Sequence, residues 1–197
     1  MKDLKIEEYF AIGFDSGKNN YWPILGNFLL TMLVIVIISF TIIGILFIPA
    51  FLAGFTKYLL NTVRGVKVSI SNCWKFGFEN GMWWKSFLLL LILSIGVVVG
   101  LMLLIIPGLY LATVWFLAMF LLVDRNMLPT DALGSSRELV HELGFWKVFG
   151  VYMLTTFVIQ ILSVIPVLNI LAIFTIPFMY TIYLAVYENT IKDSLTS

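Results

Sequence analysis

The sequence predicts an all-α integral membrane protein: six transmembrane helices as three hairpin repeats, with interfacial amphipathic helices on the cytoplasmic side. Three observations carry this expectation. Of 197 residues, 61% are hydrophobic and 12% charged, whereas an ordinary soluble domain carries about 25% charged residues. So few charges cannot cover the chain for water, and the excess apolar surface faces lipid. Residues 19–56, 86–123 and 148–187 contain no Asp, Glu, Lys, Arg or His, and all 12 Lys/Arg and 11 Asp/Glu fall in 1–18, 57–85, 124–147 and 188–197.

Each charge-free stretch is about twice the ~20 residues that one spanning helix needs. A single helix of that length would reach roughly 57 Å, too long to cross once. Breakers sit near the middle of each: Gly44 and Pro49, then Gly96, Gly100, Pro107 and Gly108, then Pro166, Asn169 and Pro177. Two spans joined by a tight turn fit each stretch, and one tilted helix with a re-entrant piece is the alternative. Pro49 and Pro107 suit the first turn of a returning helix, where the missing N–H costs nothing. In the third hairpin Pro166 or Pro177 could mark the turn. The Pro166–Asn169 region is favoured, with Pro177 as a kink.

With six spans the four charged segments share one face, which the positive-inside rule makes cytoplasmic, both termini included. The expected location is the cell (plasma) membrane, multi-pass. Residues 1–20 carry no signal-peptide pattern, and the first apolar stretch reads as an uncleaved insertion signal.

Trp22, Trp84 and Trp146 recur at equal spacing, each where a hairpin begins, and Trp84-Lys85-Ser86-Phe87 matches Trp146-Lys147-Val148-Phe149. The inferred unit is an interfacial helix, an aromatic anchor, a span, a Pro/Gly turn and a returning span. Its copies cover about 6–64, 69–125 and 130–189 of a single membrane domain, 1–197. From Pro129 to Leu143, Ala132, Leu133, Ser136, Leu139, Val140 and Leu143 recur at helical spacing, with the charges elsewhere. Thr130 suits the N-cap, Asp131 the first turn and Gly144 the stop. Such a helix is expected in the headgroup region with its apolar side down.

Ile105-Ile106-Pro107-Gly108-Leu109-Tyr110-Leu111-Ala112, Leu121-Leu122-Val123-Asp124, Ala132-Leu133 to Ser136-Arg137 and Phe145-Trp146-Lys147 form one connected pattern. It resembles the membrane domain attached to some glycerophosphoryl diester phosphodiesterases, and related uncharacterised prokaryotic integral-membrane families. The likeness covers about residues 100–190. It implies a non-catalytic module, since the phosphodiesterase chemistry of that group belongs to a separate soluble barrel for which this chain has no room.

No catalytic constellation emerges from the residues. His141 is the only histidine and reads as a solvated interfacial side chain, leaving no His-based metal motif. Cys73 is the only cysteine; S-palmitoylation is conceivable there, and a plain interfacial cysteine fits better. Ser135-Ser136 has no base near it but His141. Neither a cofactor nor a nucleic-acid partner is expected.

Two sets of residues could bind. The loop 57–85 holds Lys57, Arg64, Lys67, Lys75 and Lys85 against Glu79, net +4, interleaved with Trp74, Phe76, Phe78, Trp83 and Trp84. Basic residues beside interfacial aromatics suit an anionic lipid surface, although topology determination alone explains the loop equally well. Lys57, Arg64, Lys67, Lys75, Lys85, Trp74 and Trp84 are the candidate lipid contacts. Within the spans, Asn27, Gln160 and Asn169 form a candidate intramembrane polar site, because an amide in lipid needs a partner.

The expected function is a non-enzymatic module that interacts with lipid or scaffolds an unidentified protein partner. A small transporter or channel for an apolar or amphipathic solute is the alternative. Its three repeats resemble mitochondrial carriers, but the charged Pro-x-Asp/Glu-x-x-Lys/Arg signature is missing after Pro49 and Pro107.

Overall fold

A computed structural model describes residues 4–164 and 166–194, with side chains for all of these except 42–43, 162–172 and 192–194. Every regular element among them is helical. In chain order these are α1 (Ile6–Asn19), α2 (Tyr21–Ser39), α3 (Ile42–Ile45), α4 (Ile48–Val63), α5 (Ile70–Phe76), a 3-10 turn (Glu79–Gly81), α6 (Met82–Leu103), α7 (Ile105–Val114), α8 (Ala118–Arg125), α9 (Pro129–Leu143), α10 (Phe145–Val164) and α11 (Pro166–Ser194). Among the described residues, three stretches are long and apolar enough to cross a membrane: Tyr21–Ser39, Glu79–Leu103 and Ile105–Arg125. A fourth is added if Pro129–Leu143 and Phe145–Ile161 count as one broken span. The chain divides into two compact units, residues 1–25 with 142–197, and residues 26–141.

The first unit packs α1 along α11. Tyr9, Gly13 and Gly17, spaced by one helical turn, form the buried face of α1. A Cβ at Gly13 would lie 2.5 Å from the Ile182 Cα, so only glycine permits this backbone approach. Small residues have this use where helices meet in lipid, because apolar burial alone gives helices no reason to associate there. Polar links complete the packing. Asn189 Nδ2 donates to the Tyr9 hydroxyl at 3.0 Å, and the Thr155 and Tyr183 hydroxyls pair at 2.7 Å. The α1 N-terminus is closed by Glu8, whose carboxylate accepts from the Lys5 backbone N–H at 2.6 Å. In the third apolar stretch α10 ends at Val164 and α11 starts at Pro166, with Pro177 inside α11.

The second unit is built around α4, whose residues from Ala53 to Leu60, Lys57 excepted, are buried. α5 crosses its glycine side, where a Cβ at Gly54 would sit 2.6 Å from the Cys73 carbonyl oxygen. The α4 N-terminus lies at the foot of α6, for Trp83 Nε1 donates to the Leu46 carbonyl at 2.8 Å. Its C-terminus meets α8 through Arg64 and Asp124. At 16 residues α4 is about 24 Å long, shorter than the ~30 Å hydrocarbon core. α6 and α7 form an antiparallel hairpin in which a Cβ at Gly100 would come 2.9 Å from the Gly108 Cα. Its tip, Leu101 to Ile106, is apolar and exposed throughout, Met102 at 82%.

The sequence expectation for α9 meets both agreement and difference. Pro129, Ala132, Leu133, Ser136, Val140 and Leu143 are buried, Asp131, Arg137, Glu138, His141 and Glu142 are exposed, and Gly144 ends the helix at φ +94. The helix begins at Pro129 rather than after Thr130, since proline's fixed φ suits a first helical position. Part of its buried face is closed by protein, because Ser136 reaches the junction of α7 and α8.

Candidate functional site

Three groups of polar residues in the second unit have the geometry of a site. The first is buried. Trp74 Nε1 donates to Thr31 Oγ1 at 3.3 Å, and Thr31 donates to Asn27 Oδ1 at 3.3 Å. Asn27 and Thr31 lie one turn apart on α2, so Thr31 links Asn27 to Trp74. Both are 0% exposed, and Asn27 Nδ2 has no hydrogen-bond partner. A buried amide with one long bond and two unused donors costs stability. Asn27 and Trp74 are thus brought together, although the sequence assigned them to different groups. Gln160 stands apart: it is exposed, beside a depression of about 330 Å³ lined by Met153, Leu154, Thr156 and Phe157. The Asn169 side chain lies outside the described residues.

The second group is the basic loop. Arg64 makes a two-pronged ion pair with Asp124, Nη1 to Oδ1 at 2.6 Å and Nη2 to Oδ2 at 2.7 Å. This forked geometry is the strong form of the interaction, and it sets the cation at the C-terminal end of α4. Lys85 Nζ donates to Asn126, to Oδ1 at 2.9 Å and to the carbonyl at 3.3 Å. Asn126 holds φ +52, which turns the chain after α8. Lys57 lies over the Phe76 ring, 5.1 Å from its centroid. Lys67 and Lys75 are exposed, with no ion pair among the described residues. Trp84 is 51% exposed and stacks on Phe87. Arg64 and Lys85 of the loop are thus paired with the segment 124–147, while Lys67 and Lys75 are exposed.

Cys73, on α5 within this loop, is 3% exposed. Burial pushes its thiol up, opposed by a hydrogen bond with the Asn61 side chain and the nearby Lys57 charge. A buried, protonated thiol is a poor nucleophile and a poor acceptor of an acyl chain.

The third group gave no sequence signal. α7 stops at Val114 and α8 starts at Ala118. The turn between them uses Trp115 N to Leu111 O, Phe116 N to Thr113 O and Ala118 N to Trp115 O. The Val114 carbonyl and the Leu117 N–H are left over. Ser136, 0% exposed, supplies both: its hydroxyl donates to Val114 O at 2.7 Å and accepts from Leu117 N at 3.2 Å. Irregular backbone at membrane depth persists where protein satisfies it. This role accounts for the buried hydroxyl without any nucleophilic chemistry.

His141, on the exposed side of α9, pairs its Nε2 with the Tyr110 hydroxyl at 3.0 Å. Among the described residues no group of three or more His, Cys, Asp or Glu is arranged to hold a metal ion. No family model matches the chain, no curated protein matches it, and no solved structure matches it.

Proposed function

We propose that the chain is a non-enzymatic, multi-pass membrane module whose work is to hold or organise lipid at the cytoplasmic face. One observation carries this reading. In the apolar 18-residue window of Glu79–Leu103 only 17% of the residues are buried by the protein itself, so the exposed remainder of this apolar helix requires lipid as its neighbour. At the foot of the same helix lie Trp83, Trp84 and Lys85, with Lys67 and Lys75 exposed in the same loop. Aromatic rings and cations beside an uncovered apolar helix match the order of layers in a bilayer leaflet.

The four charged segments form the cytoplasmic face. Apolar hairpins that return to the side they leave give that arrangement, and the short helices α5 and α9 preceding the long ones suit interfacial positions in a repeat, whereas α1 lies along α11. α4 is the arm with the least length for a crossing. A first hairpin that entered the membrane without crossing would leave 57–85 on the same side, so one-sided charge survives either case. Scaffolding of a partner protein fits the same exposed loop.

The test is native mass spectrometry of protein released directly from its membrane. Stoichiometric anionic lipid is the expected finding. A particle that carries neither lipid nor a partner protein would overturn the proposal.

A further inference from the structure

In the first unit, α10 turns an amide away from the helix it packs on. Val148, Val151 and Thr155 form its buried face, and the Thr155 hydroxyl pairs with that of Tyr183 on α11 at 2.7 Å. Met153, Phe157 and Gln160 recur at the spacing of the opposite face. Gln160 is exposed there and makes no hydrogen bond among the described residues. It lies about 20 Å beyond Lys147 along α10, inside a hydrocarbon core of ~30 Å. Any tilt of α10 brings it nearer the midplane. Acyl chains offer an amide neither donor nor acceptor, so at this depth the group is costly until another protein surface meets it.

The surface around the amide has both a projection and a recess. Phe157 is 63% exposed. Beside it and Gln160 lies the depression of about 330 Å³, whose other walls are Met153, Leu154 and Thr156. One helix face thus carries a ring to insert and a hollow to receive one, within a turn of a group that both donates and accepts.

We infer that this face of α10 is the contact between two copies of the chain, related by a twofold axis. Such an interface requires a patch that complements itself. The Gln160 amide does so, since the N–H of each copy donates to the oxygen of the other. Phe157 does so as well, each ring entering the depression of the other copy. A lipid would fill the depression but leave the amide unpaired. A different protein would have to bring an amide-like group and a ring to the same depth, whereas a second copy brings both by symmetry. The inference rests on the membrane reading of the chain and goes beyond it by naming a partner.

The test uses full-length protein carrying Cys73→Ser and Lys67→Cys. Batches labelled with donor or acceptor dye are mixed and reconstituted into phosphatidylcholine vesicles. Energy transfer should exceed that of random proximity, rise with protein density and follow the acceptor fraction linearly, as a dimer requires. Gln160→Leu should raise the density needed for half-association about tenfold, the effect of two interhelical hydrogen bonds of ordinary strength. Phe157→Ala should weaken association as well. Excess unlabelled wild type should abolish the transfer, and unlabelled Gln160→Leu should compete much less. No transfer at any density, or association that Gln160→Leu leaves unchanged, would overturn the interface. Flotation of the same vesicles separates the two readings. Monomeric protein that floats with lipid refutes the interface alone, and protein that stays behind refutes the membrane reading beneath it.

Discussion

Replacing Ser136 with alanine tests the junction of α7 and α8 most sharply. The substitution removes the hydroxyl and leaves the Val114 carbonyl and the Leu117 N–H without their partner, in a site where Ser136 is 0% exposed. Each unpaired buried group costs about 1–3 kcal/mol. Two of them give roughly 2–6 kcal/mol, and a water entering the vacated space would bring the loss to the lower half of that range. An average side-chain hydrogen bond between membrane helices is worth only about 0.6 kcal/mol, so the two mechanisms are distinguishable. Ser135, next in the chain and half-exposed, is the control. Ser135→Ala should change stability by less than about 0.5 kcal/mol. The assay is unfolding by sodium dodecyl sulfate in mixed micelles, followed by circular dichroism. A Ser136→Ala loss no larger than that of Ser135→Ala would show that Ser136 does not hold the junction together.

Further outcomes follow from the same geometry. Arg64→Lys keeps the charge but loses the fork on Asp124, and should cost about 1 kcal/mol in the same assay at low salt and less at high salt; no salt dependence would contradict an ionic link. Asn27→Leu should be neutral or stabilising, because the amide is buried with two unused donors; a loss above about 2 kcal/mol would mean that the amide has a partner in the membrane. Cys73 should react with a maleimide far more slowly in the folded protein than after denaturation. Its rate should begin to rise only above the usual thiol range, because burial raises the thiol; rapid labelling of folded protein at neutral pH would contradict the burial.

Some of this structure was legible in the residues and some was not. The α9 face and its stop were readable because helical periodicity and a terminal glycine are local signals, and Pro166 marked where α11 begins for the same reason. The break at Trp115–Leu117 was not. Its residues are ordinary apolar ones, and the group that stabilises it, Ser136, is 19 residues beyond Leu117. The Arg64–Asp124 pair spans 60 residues, so composition showed the charges without showing that they neutralise each other. Length was a poor guide to α4. The 19–56 stretch has residues enough for two spans, yet Trp83 holds the Leu46 carbonyl at the foot of α6. The pairing of α1 with α11 was unreadable because Gly13 and Ile182 are far apart in sequence and meet only in the fold.

On the proposed reading, the chain sits in a membrane with all its charged segments on one face. Single cysteines at Lys5, Lys67 and Glu138, all exposed, placed in a Cys73→Ser background, test it directly by labelling with a membrane-impermeant maleimide in sealed vesicles of each orientation. The expected result is that all three label from the cytoplasmic side only, while a cysteine at Met102 in the hairpin tip never labels from that side. Labelling of any two of the three charged positions from opposite sides would contradict a one-sided arrangement.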